Sequence, residues 1–429
     1  MDSKPLNRQT IAAISTAPGR GGVAVVRVSG DDAFAVGKAL TGRGMRPGRI
    51  MVHDVMGEEC VVLAFKSPHS YTGEDVVEFQ CHGGMVAPRR ILDATLRAGA
   101  RLAGRGEFTQ RAFLNGRISF EAAQSVIDLI DAKTDQAAEA ALAGLADEST
   151  RRLRSCYEAA LEISSVVEHS LDIDEGELPP GFADEIETRI TALLDTLDDA
   201  VRKLRTRSIM RRGALVVLAG EPNVGKSSLF NALVKENRAI VSPTAGTTRD
   251  AIEAWLDLDG WPVRLVDTAG LRDSTDAIEA EGVRRSEEYI SKADIVCSLR
   301  FAGGDSSEAA SRKPHTIAIS AKCDLMRGDG LNVSAKTGEG LDELRREITK
   351  NLAEITESGG LSDTDETEGS IAVILEAEAM LRTAPVGGGD LVLVGNSVRS
   401  AAEILGRHIG AEYSADMLER LFSRFCVGK

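Results

Sequence analysis

Residues 214–234, ALVVLAGEPNVGKSSLFNALV, place Gly220, Gly225, Lys226 and Ser227 in the spacing G-x-x-x-x-G-K-S, between an apolar strand and a helix. Glycines at those points let main-chain N–H groups converge on phosphate oxygens. The start of the following helix adds a dipole that favours anions. Lys226 is expected to reach the β- and γ-phosphates, and the Ser227 hydroxyl to bind Mg²⁺. Asn223, Val224, Gly225 and Ser228 complete the loop.

Two further segments follow in the order such chemistry needs. SPTAGTTRD supplies Ser242, Pro243, Thr244, Ala245, Gly246, Thr247 and Thr248. Thr248 is the expected second hydroxyl on Mg²⁺, in a loop that the γ-phosphate orders. DTAG runs from Asp267 through Thr268 and Ala269 to Gly270 at the end of an apolar strand. Asp267 can hold Mg²⁺ through water, and the Gly270 N–H can meet a γ-phosphate. The three segments together imply a nucleoside triphosphatase. For the base, Lys322 and Asp324 in AKCD, with Ser334, Ala335 and Lys336 in VSAKTGEG, point to guanine. Asp324 can accept from guanine N1–H and the 2-amino group; adenine offers no such pair. Ala321 stands where such pockets usually have asparagine, at a cost to affinity of roughly 1–3 kcal/mol. Leu271 stands where a glutamine would orient the attacking water, so another group is needed. Glu279, Asp276 and Glu281 in the carboxylate-rich segment beyond it meet that need alike.

The elements that position these residues fall into zones. Residues 1–120 read as α/β, with strands in GVAVVRVSG, CVVLAFKS and DVVEFQCHGG. Residues 121–212 carry apolar residues at helical spacing, among them Ile190, Leu193, Leu197, Val201 and Leu204. From 213 to 352 strands alternate with helices, as in a parallel-sheet domain. Residues 353–370 read as an acidic linker, and 371–429 as helical again, ending in a stripe of Leu418, Leu421, Phe422 and Phe425. The α/β unit is thus expected as an insertion between two helical stretches that pack as one bundle.

The composition, 43% hydrophobic and 27% charged, is globular, and no apolar run reaches the roughly 20 residues of a spanning helix. A cytoplasmic location is expected. Six scattered cysteines without a C-x-x-C pair argue against a zinc ribbon or a disulfide framework. The net charge of −15 leaves nucleic-acid contact to local basic runs: Arg151, Arg152 and Arg154, or Arg205, Arg207, Arg211 and Arg212. Such runs are more often solvated helix faces.

PGRGGVAVVRVSG, YTGEDVVEFQCHGG, RGEFTQRAFLNGRIS and the terminal FCVGK, together with the nucleotide motifs, resemble the MnmE (TrmE) family of bacterial tRNA-modification GTPases over the whole chain. The resemblance implies an N-terminal α/β domain that binds a reduced folate (5-formyl- or 5,10-methylene-tetrahydrofolate), a helical domain, and a Ras-like P-loop G domain inserted in it. It implies a homodimer and a larger complex with the FAD-dependent MnmG (GidA). That complex modifies C5 of the wobble uridine of certain tRNAs to the carboxymethylaminomethyl or aminomethyl form. The family's folate contacts fall on Arg27, Glu78, Arg117 and Lys429. Its K⁺ ligands fall on Asn223 and the loop bearing Ser242, Thr244 and Thr247, and its water-orienting carboxylate on Glu279.

Cys426, fourth from the end, has the format of a prenylation box, but Gly428 and Lys429 do not suit one. The family resemblance assigns Cys426 to the modification chemistry, as nucleophile or acid–base group. The rival reading from another class is an Era- or Der-like ribosome-assembly GTPase. Those proteins carry a basic KH-like domain or a second G domain, and this chain shows one phosphate loop.

Overall fold

The computed structural model describes residues 9–146, 148–171, 178–236, 252–268, 277–301, 315–358, 367–385, 390–409 and 422–429. The chain divides into two compact units, Met1–Ile127 with Glu412–Lys429, and Asp128–Ala411.

The first unit holds β1 (Ile11–Ile14), β2 (Val23–Ser29), α1 (Ala33–Thr41), β3 (Ile50–Asp54), β4 (Glu59–Phe65), β5 (Val76–His82), α2 (Ala87–Arg97), β6 (Arg101–Leu102), α3 (Glu107–Leu114) and α4 (Phe120–Asp131) as far as Ile127. Its sheet has the order β3-β4-β5-β2-β1-β6, antiparallel apart from the short β1–β6 pair. Side chains alternate between its faces, as the pleat requires. Ala24, Val26 and Val28 of β2 and Val77, Phe79 and Cys81 of β5 join Ala33, Val36 and Ile91 of α1 and α2 in one core. The other face carries Ile11 and Ala13 against Ala103, Phe108 and Tyr71. The intervening β2 and β5 positions on that face are Arg27 and Glu78, directly opposite each other in register.

The terminal segment 422–429 groups with this first unit and packs on α3 and α4. Phe422 and Phe425, 3% and 2% exposed, bury against Phe113, Phe120 and Ala123. Two buried aromatics stabilise by roughly 3–6 kcal/mol together, enough to hold a short segment. Leu418 and Leu421, expected in the same stripe, lie outside the described residues.

The second unit contains α5 (Asp135–Leu145), α6 (Glu148–Ser170), α7 (Phe182–Arg212), β7 (Ala214–Gly220), α8 (Lys226–Glu236), β8 (Ile252–Leu258), β9 (Trp261–Asp267), α9 (Ala277–Lys292), β10 (Ile295–Phe301), β11 (Thr316–Ala321), β12 (Leu331–Val333), α10 (Leu341–Ser358), α11 (Thr367–Arg382) and α12 (Leu391–Ile409). Helices α6, α7, α11 and α12 share one core in which Leu193, Leu197 and Val201 of α7 meet Ala160, Val167, Ile374, Leu381 and Val398. The stretches before and after the inserted α/β part therefore do pack together. Helix α7 carries Asp184 and Glu185 in its first turn and Arg211 and Arg212 in its last, matching the helix dipole at both ends.

The inserted sheet runs β12-β11-β10-β7-β9-β8, parallel except for β8. β7 is followed on one side by β9 and on the other by β10. The crevice at its carboxyl end is thus the switch point where α/β sheets bind ligands. Helix α10 runs six residues into the stretch expected as linker. Leu352 and Ile355 continue the buried row of Leu344 and Ile348, so the helix lengthens until that face is covered.

Candidate functional site

The loop after β7 closes at the mouth of that crevice. Gly220 has φ 146°, and a Cβ there would lie 2.3 Å from the Leu299 carbonyl oxygen on the neighbouring β10. Only glycine lets the two strands stay in register as the chain turns into the loop. Asn223 follows in the left-handed region at φ 61°, which asparagine tolerates. Helix α8 then starts at Lys226, so its first N–H groups face the loop. Lys226 is 3% exposed, and its Nζ donates to the Gly220 and Glu221 carbonyls at 2.9 and 2.8 Å. The ammonium is thus held across the loop by acceptors that a phosphate can replace. Ser227 and Ser228 lie exposed on the first turn.

Asp267 closes β9 opposite Leu218 of β7, fully buried. Thr268 beside it donates to the Leu218 carbonyl at 2.8 Å, pinning the start of the DTAG turn. The Ser227 hydroxyl and the Asp267 carboxylate are hard oxygen donors of the kind Mg²⁺ takes. The 242–248 segment, Ala269, Gly270 and Leu271 lie outside the described residues. So does the side chain of Glu279, whose backbone falls in α9.

Beside the loop lies a cavity of about 310 Å³, within the roughly 300–1,000 Å³ range of small-molecule pockets. Gly225 and Ser228 line one side; Ala321, Lys322, Asp324, Ser334, Ala335 and Lys336 line the other. The structure thus gathers the phosphate loop and both base-reading segments around one space. Ser334 is fully buried and donates to Asp324 Oδ1 at 2.6 Å, so the carboxylate is aimed before any base arrives. Lys322, at φ 58°, donates from Nζ to the Asn223 carbonyl at 2.9 Å and lies 5.8 Å from the Phe301 ring centroid. Sequence reasoning missed these two tethers, because hydrogen bonds across distant loops have no local spacing.

A second gathering lies in the first unit. Arg27 Nε donates to Glu78 Oε1 at 2.8 Å. The Arg27 guanidinium also sits over the Tyr71 and Phe108 rings, at 5.2 and 5.7 Å. Tyr71 Oη is hydrogen-bonded to Thr109 at 2.8 Å. Arg117 Nε donates to the Ser70 carbonyl at 3.3 Å, one residue from Tyr71. The Phe108 N–H donates to the Lys429 carbonyl at 3.1 Å. Arg27, Arg117 and Lys429 are thus each tied to Tyr71, Phe108 or the residue next to them, and Glu78 is tied to Arg27. Sequence reasoning gave Tyr71 and Phe108 no role, although both sit in motifs it singled out.

The terminal segment 426–429 reaches this place along a fixed path. Val427 bridges Arg105, and the Gly106 N–H donates to the Cys426 carbonyl at 3.4 Å. Gly428 has φ 102°, and a Cβ there would stand 2.2 Å from the Ile14 carbonyl oxygen. Five of the six cysteines are buried, and Cys426 is exposed. Burial pushes the Cys60 and Cys297 thiols up to about 12, and Cys81 and Cys156 to about 11. Those four stay thiols at neutral pH and do no thiolate chemistry.

A family model described as GTP-binding protein TrmE N-terminus matches residues 10–117, and one described as MnmE helical domain matches residues 120–426. A tRNA modification GTPase MnmE of Symbiobacterium thermophilum is 39% identical, over 99% of this chain and 100% of that relative. The chain belongs to the MnmE family of tRNA modification GTPases. Two further MnmE relatives, from Neisseria meningitidis and Dichelobacter nodosus, are 37% and 38% identical over 99% and 98% of the chain, and 99% of each relative. Among solved structures, the G domain of the T. maritima FeoB iron transporter covers 32% of this chain and 98% of that chain, at 25% identity and a TM-score of 0.23. The protein is a GTPase. Among the described residues, no helix is long and apolar enough to cross a membrane, and no three His, Cys, Asp or Glu cluster as metal ligands.

Proposed function

We propose that this GTPase drives modification at C5 of the wobble uridine of certain tRNAs. It works as a cytoplasmic homodimer with an FAD-dependent partner of the MnmG kind, and a reduced folate is the one-carbon donor. The observation that carries the folate reading is the gathering of Arg27, with its partner Glu78, Arg117 and Lys429 near Tyr71 and Phe108, with Cys426 exposed in the same terminal segment. A pterin offers N–H donors suited to the Glu78 carboxylate, which has lone pairs beyond the one Arg27 uses. Flat rings suit Tyr71 and Phe108, and the glutamate tail suits the cations Arg117 and Lys429. Cys426 would supply a nucleophile or acid–base group for the modification.

In the nucleotide cycle, Asp324 reads guanine and Lys226 moves from the loop carbonyls to the phosphates. Ser227 and Thr248 hold Mg²⁺; Asn223, Ser242, Thr244 and Thr247 hold K⁺. When bound, the two cations neutralise charge that develops on the transferring phosphoryl group. Glu279 orients the attacking water in place of the glutamine that Leu271 replaces. Membership of the MnmE family is the reason to prefer this reading to the ribosome-assembly one.

Titrating 5-formyltetrahydrofolate into the protein tests the folate reading. The expected result is binding that falls at least tenfold in Glu78→Gln, while GTP hydrolysis is unaltered and faster in K⁺ than in Na⁺. A protein that binds no reduced folate, or binds it equally with Glu78 replaced, overturns that reading.

A further inference from the structure

Two basic runs stand about fifty residues apart in an acidic chain of net charge −15, one around Arg152 and one from Arg202 to Arg212. The fold brings them to one place. A cavity of about 270 Å³ opens between α5, α6 and α7. Its walls include Arg152 of α6 and Lys203, Thr206 and Arg207 of α7, and its α5 side is made of Ala143 and Gly144 with a further alanine. Small residues there leave the space that longer side chains would fill. No carboxylate lines it among the described residues.

Carboxylates stand just outside and hold the cations in place. Asp199 accepts from Arg152, Arg202 and Lys203, each at 2.9 Å. Those three partners keep the Asp199 carboxyl below the usual carboxylate range, with the hydrogen bond from Lys203 the strongest. Asp128 pairs with Arg207 at 3.4 Å. Three cations, Arg152, Lys203 and Arg207, thus line the space beside Leu153 and Leu204, while the carboxylates paired with them lie outside its lining. Side chains at Arg152, Arg202 and Lys203 are 34%, 51% and 51% exposed, so the charge is presented to solvent.

We infer that this cavity seats a backbone phosphate of the tRNA, and that the α6–α7 face around it is a docking surface for the RNA. The inference rests on tRNA being the substrate. Clustered guanidinium and ammonium groups that displace counterions from phosphates are what an otherwise acidic protein needs to hold a polyanion. The Thr206 hydroxyl and the forked Arg152 and Arg207 guanidinia supply directed donors, and Lys203 a point charge.

The test is binding of purified tRNA to the full-length protein across a salt series. Compared are the unaltered protein, Arg152→Gln/Lys203→Gln, the charge-keeping Lys203→Arg, and Lys350→Gln on the exposed face of α10. The double variant is expected to weaken binding about tenfold or more near 0.1 M salt. It should also flatten the slope of log affinity against log salt by ~0.7–0.9 per lost contact. Lys203→Arg and Lys350→Gln should match the unaltered protein, and all four should hydrolyse GTP alike and melt at similar temperatures. Equal affinity and slope in the double variant overturn the surface assignment while leaving tRNA as the substrate. Equal tRNA affinity with lost co-elution of purified MnmG reassigns the face to a protein partner and also overturns it. Absence of tRNA binding by the unaltered protein overturns it outright. The substrate itself is judged separately, by nucleoside composition in cells lacking the gene.

Discussion

At the scale of single residues, the base pocket carries an unusual economy. Ala321 ends β11 at 6% exposure and lines the nucleotide cavity, so no side-chain amide ties the base-reading segment to its neighbours from that position. Two other contacts take part in that bracing: Ser334 on Asp324, and Lys322 on the Asn223 carbonyl. Ala321→Asn should add hydrogen bonds to this framework and tighten GDP by roughly 1–3 kcal/mol, or about five- to a hundredfold, in a fluorescent-nucleotide titration. Unchanged affinity contradicts the view that the alanine weakens the pocket. Ser334→Ala should loosen GDP about fivefold by freeing the Asp324 carboxylate, with little change for a nucleotide held by phosphates alone. The segments expected to read phosphate and base were legible in the sequence, because that chemistry dictates residue types at fixed spacing, and the fold brings them to one cavity. Their braces were not, since a serine aimed at an aspartate ten residues away looks like any serine.

Among the elements, the terminal strand and the helical bundle each carry a consequence. Apolar spacing showed that Phe422 and Phe425 share a buried face; it held no information on what that face buries against. The destination depends on Phe113 and Phe120, three hundred residues earlier in the chain. Gly428→Ala should displace the strand, since φ 102° and the Ile14 carbonyl leave no room for a methyl group. Wobble-uridine modification should fall at least tenfold while GTP hydrolysis persists; intact modification contradicts the strand's role. In the bundle, Glu378 of α11 is 5% exposed. Burial first, then the Asp198 carboxylate, raises its carboxyl from 4.5 to about 7, against the opposing pull of Arg382 and Arg205. The unfolded chain releases that proton near 4.5 and the folded chain near 7, so between them the folded state binds more protons. Stability therefore falls as pH rises through that window and levels off above it. Glu378→Gln should stabilise by about 1–3 kcal/mol at pH 8 and change little near pH 4, as read by urea unfolding.

The whole molecule combines a nucleotide-hydrolysing part with a part whose terminal thiol faces solvent. On the function proposed above, the two serve one outcome on tRNA. The alternation of strands and helices after Gly213, and the return of helical spacing beyond it, made the insertion legible. The bundle's closure followed because each flank exposes an apolar stripe that only the other can cover. The end of the inserted part was harder to place, because α10 keeps its buried row through an acidic stretch that reads as linker. The central claim is that GTP turnover and the Cys426 strand serve the same modification. It is tested most directly by nucleoside mass spectrometry on bulk tRNA from cells lacking this gene, complemented in turn with the unaltered gene, Lys226→Ala and Cys426→Ser. The account predicts that C5-substituted wobble uridines vanish with the gene, return with the unaltered copy, and fail to return with either variant. Uridines that persist without the gene, or that return fully with both variants, contradict it.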